Sequence, residues 1–448
     1  MDSKQHSILM LPWLAHGHIS PFLELAKKLS QRNFNVYLCS TPINLKHFRE
    51  TLSLNLLSSS IQLIDIHLPS SLDLPPHYHT TKNLPSHLLS ALITTFDDAK
   101  PAFFTILKTL KPDLVIYDFL QPWVPIVAHE ENIEAVLFLT CSAASYSVLT
   151  HCINDPNKDS PFQELNFSKD QGDKIIWFLD YTSNGVTNKE RFLGCIERSS
   201  SFVLIRTSNI IEAKYVDHFC GLVGKEIVPV GPLVQNPTRN DDDDEVIMEW
   251  LDKKQVSSAV FVSFGSECFL SKQEIEEIAH GLELSTVSFI WVVRFHGGEK
   301  TRVLHEVLPE GFLERIGDMG MVVEGWAPQA KILGHPSIGG FMSHCGWGST
   351  LEGVMLSVPI IAMPMNVDQP FNAKLVVEIG VGKEVKRENE NERFKREEVA
   401  RLIKQVMDQE DGKEVRTKVK EVSERMREKS GEEFDLVMEK LVQIVRKS

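Results

Sequence analysis

Two successive series of short apolar runs, separated by amphipathic stretches, leave this chain few folds to choose from. In the first half the runs are SILML (7–11), NVYLCS (35–40), IQLIDI (61–66), DLVIYD (113–118), AVLFLT (135–140) and FVLIRTS (202–208). The segment after the first run, SPFLELAKKLSQR, carries Phe22, Leu25, Ala26 and Leu29 at helical spacing. Strand, helix, strand in repetition means parallel strands joined by right-handed crossovers. The pattern then stops at VPVGPLVQNPTRNDDDDEV (228–246), whose Pro, Asn and Asp cannot bury a face. That stretch is a linker between domains or a long surface loop within one. The pattern restarts with AVFVSFGS (259–266), SFIWVVR (288–294), MVVEGW (321–326), IGGFMSH (338–344) and VPIIAMPM (358–365), with helical segments such as SKQEIEEIAHGLEL (271–284) between them. The end of the chain, GEEFDLVMEKLVQIVRKS, places Phe434, Val437, Leu441, Ile444 and Val445 on one face, as a helix docked on a core would.

The expected architecture is therefore α/β, with two Rossmann-like parallel-sheet domains facing across a cleft. The boundaries expected are 1–235 for the first domain, 236–250 for the linker, 251–430 for the second domain and 431–448 for a C-terminal helix packing back on the first. Ligands of open parallel sheets sit beyond the carboxyl ends of the strands, so residues that closely follow a strand are the first candidates for chemistry.

Composition narrows the function. The chain has 448 residues, 42% apolar and 24% charged, with a formal net charge of −14. An acidic surface is a poor match for nucleic acid or an anionic membrane, though backbone amides can still hold a small phosphate. The seven cysteines are scattered, without the spacing of a zinc site, and read as reduced thiols of a cytoplasmic protein. MDSKQHSILML has no basic leader region, and no later apolar run approaches the length of a membrane span.

Residues 344–353 read HCGWGSTLEG, at a strand-to-helix junction. Such a junction presents unpaired N–H groups and a partial positive charge, which suits a phosphate. Ser349 and Glu352 also form S-x-x-E, which reads equally well as a capping box. Neither reading by itself accounts for His344 or Trp347. Earlier in the chain, LPWLAHGHISPF sets His16 and His18 in a loop after the first strand. No third ligand follows at a metal-binding spacing. Asp118, at the end of LVIYD, reads by itself as a helix N-cap. No GxGxxG follows the first strand of either half, which argues against a nucleotide-dependent oxidoreductase.

The window 326–369, WAPQAKILGHPSIGGFMSHCGWGSTLEGVMLSVPIIAMPMNVDQ, resembles the donor-binding signature of the plant family 1 UDP-sugar glycosyltransferases from its opening Trp326 to its closing Asp368 and Gln369. The rest of the chain is similar to that family along its length, which implies the GT-B fold. The resemblance implies that Trp326 stacks on uracil, that Ala327 meets the uracil edge through its backbone, and that Gln329 and Glu352 hold the ribose. It further implies that His344 and Ser349 contact the diphosphate with Ser266, and that Asp368 and Gln369 bind the sugar. Trp347 and Gly348 fall within the same donor set; Gly348 stands where the family usually has asparagine, so one side-chain amide is replaced by a bare backbone. In the first half the family's general base corresponds to His18 and its orienting carboxylate to Asp118.

The implied reaction is inverting and metal-independent, with no bound cofactor and UDP-glucose as co-substrate. Gln369 is similar to the glucose users of the family, and UDP-rhamnose is the alternative. ILMLPWLAHGHISPFLELAKKLS and HYHTTKNLPSHL resemble the branch-forming subgroup, whose members extend the sugar of a flavonoid or terpenoid glycoside. Acceptor contacts are expected from Trp13, Leu14, His79, Phe119, Gln121 and Trp123. Glucosylation of an aglycone and a non-catalytic UDP-sugar-binding protein are the remaining readings. A monomer, with neither nucleic acid nor stable membrane insertion, completes the expectation.

Overall fold

The computed structural model describes residues 5–53, 60–154, 162–167, 169–235, 245–266, 268–294, 304–366, 368–387 and 394–446. The chain divides into two compact units. The first comprises Met1–Lys158, Gly172–Leu233 and Lys429–Ser448; the second comprises Asp159–Gln171 and Val234–Glu428.

In the first unit the strands are β1 (His6–Leu11), β2 (Phe34–Ser40), β3 (Ile61–Asp65), β4 (Leu114–Tyr117) and β5 (Glu134–Leu139), then a small hairpin of β6 (Thr182–Ser183) and β7 (Val186–Thr187), then β8 (Phe202–Ile205) and β9 (Glu226–Pro229). Apart from the antiparallel hairpin, they form one parallel seven-stranded sheet in the order β3-β2-β1-β4-β5-β8-β9. The chain leaves β1 toward β3 and returns to its other side at β4, so the sheet reverses direction between β1 and β4. Side chains alternate across the sheet and both faces are covered, which is why Ile8, Leu9, Met10 and Leu11 are all buried. One face packs on the helix His16–Gln31 through Phe22, Leu25 and Leu29, and on the end of the C-terminal helix through Phe434, Val437 and Leu441.

The second unit repeats the plan with β10 (Ala259–Ser263), β11 (Ser288–Val293), β12 (Gly320–Glu324), β13 (Ile338–Ser343), β14 (Ile360–Ala362) and β15 (Gly382–Glu384). All are parallel, in the order β12-β11-β10-β13-β14-β15, and the reversal falls between β10 and β13. Val260, Val262 and Trp291 enter one core; Phe261, Ile290 and Phe341 enter another.

The structure corrects three local expectations. The 228–246 stretch is not uniformly irregular: its start lies in β9, and Glu245–Asp252 is helical. Ile247 and Leu251, one helical turn apart, are buried there, and that pairing outweighs the acid run before it. The run Asp241–Asp244, with the rest of 236–244, lies outside the described residues. Second, His16 and His18 lie in the first turn of a helix, not in a loop. Gly17 and Pro21, both poor helix formers, hide that start from a propensity reading. Third, the C-terminal helix begins at Lys413 and runs unbroken to Val445, well ahead of 431. No helix among the described residues is long and apolar enough to cross a membrane.

The hairpin, which sequence periodicity does not reveal, is tied in by a buried ion pair. Arg191 is 1% exposed and its guanidinium meets Asp97 with Nη1–Oδ1 at 3.0 Å and Nη2–Oδ2 at 2.7 Å. The same guanidinium donates to the carbonyls of Ser183 (2.8 Å) and Leu120 (3.4 Å), so it braces the loop after β4. Arg191→Met strands a buried carboxylate and should cost about 3–5 kcal/mol in chemical denaturation. Arg191→Met with Asp97→Leu should recover most of that loss; a single variant within about 1 kcal/mol of the parent would show the pair to be dispensable.

Candidate functional site

Three adjacent parallel strands of the first unit, β1, β4 and β5, carry a cluster at their carboxyl ends. Asp118 follows β4 directly and has no exposed surface. A carboxylate that deep must be surrounded by donors. The N–H of Trp13 donates to Oδ2 at 3.0 Å and the N–H of Phe119 to Oδ1 at 2.8 Å. His18, in the first turn of the helix after β1, places Nδ1 2.8 Å from Oδ2. A carboxylate only accepts, so Nδ1 carries the proton and Nε2 keeps its lone pair. The N-cap alternative for Asp118 is excluded, because the next helix starts at Val124 and its N-cap is Trp123. The imidazole stacks on Phe119 at 5.4 Å between centroids, with its side chain 16% exposed.

Thr140 escaped the sequence reading. Its Oγ1 lies 3.0 Å from the same Nδ1 of His18. It ends the AVLFLT run, and a polar residue closing a strand next to β4 was the available signal.

The other expected acceptor residues divide by exposure. Leu14 and Gln121 have no exposed surface, so neither can touch a ligand as the chain stands. Gln121 accepts from the N–H of Asp118 at 3.1 Å and shapes that turn instead. Trp123 packs edge-on against Phe96 and Phe103, and Trp13 lies 5.9 Å from Phe96 between ring centroids. His79 is buried, its Nε2 3.2 Å from the carbonyl of Leu74, and burial lowers its pKa. It anchors the 74–84 loop, which is tied in turn to the segment before His18 by the Thr81 N–H bond to the Leu14 carbonyl at 2.9 Å. Phe119 alone of the six keeps appreciable exposure.

In the second unit the residues of the 326–369 window gather at the carboxyl edge of the sheet, around its reversal point. The HCGWGSTLEG junction is β13 followed by the helix Trp347–Met355, whose N-cap is Gly346. Ser349 is thus the third helical residue and not the cap, so the capping-box reading is overturned. Its hydroxyl accepts from Gln329 Nε2 at 3.1 Å, and the same amide donates to Glu352 Oε2 at 2.7 Å. Gln329, Ser349 and Glu352 form one polar group, as a ribose and phosphate site would need. Gly348 is the second helical residue, where its backbone N–H has no partner inside the helix.

His344 fits between two glycines. A Cβ on Gly265 would fall 2.6 Å from its Nε2 and one on Gly346 only 2.5 Å away. Gly265 also has φ +77°, a conformation open to glycine at little cost. Burial, and then the charge of Arg294, lowers the pKa of His344 to about 4, so the ring is neutral near pH 7. Ser266 lies beside it after β10, while Trp347 and Ala327 are buried and Trp326 is 57% exposed. At the far end Gln369 Oε1 accepts the N–H groups of Met365 (3.0 Å) and Asn366 (2.9 Å), which aims its Nε2 donor away from the backbone. Asn372, buried and unremarked in the sequence reading, bridges the carbonyl of Cys345 and Oδ2 of Asp368, both at 2.9 Å. It ties the glycine turn to the Asp368–Gln369 pair. Among the described residues no group of three or more His, Cys, Asp or Glu side chains is placed to hold a metal.

Because Ser349 caps nothing, Ser349→Ala should leave thermal stability within about 0.5 kcal/mol of the parent while raising the Michaelis constant for the sugar donor. A loss near 1 kcal/mol with an unaltered donor constant would restore the cap and remove the ligand role.

Two family models cover the chain. Residues 236–427 match the model described as UDP-glucoronosyl and UDP-glucosyl transferase, and residues 4–235 match the glycosyltransferase N-terminal domain. A flavanone 7-O-glucoside 2''-O-beta-L-rhamnosyltransferase of Citrus maxima is 53% identical, with 100% of both chains covered. A beta-D-glucosyl crocetin beta-1,6-glucosyltransferase of Gardenia jasminoides is 47% identical over 97% of this chain and 98% of its own. In fold, a Glycyrrhiza uralensis glycosyltransferase solved with glycyrrhetinic acid 3-O-monoglucuronide superposes with a TM-score of 0.86 at 24% identity, covering 99% of this chain and 96% of that one. The chain belongs to the plant UDP-sugar glycosyltransferases of the GT-B fold.

Proposed function

We propose that this enzyme transfers glucose from UDP-glucose to a sugar hydroxyl of a plant secondary-metabolite glycoside, a flavonoid glycoside first and a terpenoid glycoside second, with inversion and without a metal. The observation that carries the catalytic part is the 2.8 Å approach of His18 Nδ1 to the buried carboxylate of Asp118. With Nδ1–H committed to Asp118, His18 Nε2 accepts the proton of the acceptor hydroxyl. The oxygen forms its bond to the anomeric carbon as the bond from that carbon to the diphosphate oxygen breaks, and UDP departs with the electron pair. Attack from the face opposite the leaving group inverts the anomeric centre. The imidazolium so formed is stabilised by Asp118.

The glycoside acceptor is supported by two relatives, one named for a flavanone 7-O-glucoside and the other for beta-D-glucosyl crocetin. Glucose as donor rests on the closing Gln369. Its Oε1 is held by two backbone N–H groups, which leaves the Nε2 side of the amide to donate to a hexose hydroxyl. A second reading, transfer of rhamnose, is favoured by the 53% identity to a rhamnosyltransferase.

His18→Ala should lower turnover by about 10²–10⁴-fold with UDP affinity nearly unchanged; near-native turnover would remove His18 from its role. The donor and acceptor are tested by UDP release, with UDP-glucose and UDP-rhamnose each offered one flavonoid as aglycone and as monoglucoside. Turnover of UDP-glucose with the monoglucoside alone is expected. Turnover confined to UDP-rhamnose would replace the donor, and turnover mainly of the aglycone would replace the acceptor class.

A further inference from the structure

We infer that Arg294 is a donor-binding residue, whose guanidinium supplies the positive charge that holds the diphosphate of the nucleotide sugar. The inference rests on the proposal that the 326–369 window holds the UDP moiety.

Arg294 follows β11 directly, at the same carboxyl edge as the rest of the cluster. β11 lies between β10, which leads to Ser266, and β12, which leads to Trp326. The N–H of Gly325 donates to the carbonyl of Val293 at 2.9 Å, locking the Trp326 turn to the strand end that carries Arg294. The guanidinium carbon lies 5.5 Å from the centroid of the Trp326 ring. That is a cation–π distance, and it sets a fixed charge against the residue expected to stack on the base.

The surroundings of this charge are unusual. Among the described residues the buried Arg294 Nε has no partner, and no carboxylate pairs with the side chain. Burial lowers its pKa, and its field in turn disfavours protonation of His344. A half-buried guanidinium with no carboxylate partner among the described residues is suited to meet an anion. The other groups expected at the diphosphate are Ser266, Ser349, the helix N-terminus and a His344 that stays neutral. None of them carries a full charge, whereas UDP gains negative charge as the glycosidic bond breaks. A guanidinium beside Trp326 and His344 fills that need without a metal.

The test is calorimetric titration of UDP and of uridine into the full-length enzyme, its Arg294→Met variant and its Arg294→Lys variant, each at two salt concentrations. Arg294→Met keeps the aliphatic stem against Trp326 and removes only the charge. It should weaken UDP by about tenfold or more while changing uridine less than about threefold, and it should flatten the salt dependence of UDP binding. Arg294→Lys should retain most of the affinity and its salt dependence. Unchanged UDP affinity in Arg294→Met would overturn the inference, as would equal losses for UDP and uridine, which would make Arg294 a prop for Trp326. If Arg294→Met does not fold, Arg294→Gln is titrated in its place under the same criteria. A parent enzyme that binds neither UDP nor uridine would instead sink the assignment of the 326–369 window.

Discussion

Parallel pairing is the constraint on which the molecule depends. Two parallel strands cannot be joined by a tight turn; the chain must cross over and re-enter at the amino end. Every strand of a sheet therefore ends at the same edge, and every segment leaving that edge is free of the ladder. In the first sheet this brings Asp118 after β4, Thr140 after β5 and the turn leading to His18 after β1 within bonding distance. In the second it lines up Ser266, Arg294, Trp326 and His344 at the ends of four neighbouring strands. Both clusters sit where their sheet reverses direction, because there the crossovers depart to opposite sides and leave a crevice.

The two clusters handle charge in different ways. Asp118 is a carboxylate with no exposed surface, and backbone N–H groups with the imidazole of His18 satisfy it. That fixes the tautomer of His18, which a solvent-exposed pair could not do as reliably. The cluster of the second unit combines fixed dipoles, namely two serines, a helix N-terminus, a neutral histidine and the Gln329 amide, with the carboxylates of Glu352 and Asp368. Dipoles fixed in place bind an anion without needing their own counter-ions, and a leaving group that gains charge finds them already oriented. Arg294 adds a cation at the same edge, held beside an aromatic face.

Much of this was legible in the sequence, unevenly and for identifiable reasons. The strands of both sheets are buried on two faces, so they read as unbroken apolar runs, and most ends fell within two residues of those expected. Short strands were lost: β9 was absorbed into the supposed linker and β15 passed unnoticed, since three or four residues establish no period. The helix start at His16 was hidden by Gly17 and Pro21, which tertiary packing overrides. Ser349 and Glu352 mimicked a cap because S-x-x-E describes spacing and not the residue at which a helix begins.

The sequence alone determined the alternation of the longer strands with helices, the fold class and most of the residues that end at each sheet's carboxyl edge, because local periodicity and strand-to-helix order are written in neighbouring residues. Thr140 beside His18, Asn372 between Cys345 and Asp368, Arg294 against Trp326, and the burial of Leu14 and Gln121 were decided by tertiary structure. Each depends on residues far apart in the chain, or on the packing of the whole, meeting within a few ångströms, and a lone threonine, asparagine or arginine carries no mark of the neighbour it will find. Distance in space is set by the packing of the whole sheet and its helices, and no short window of sequence contains it.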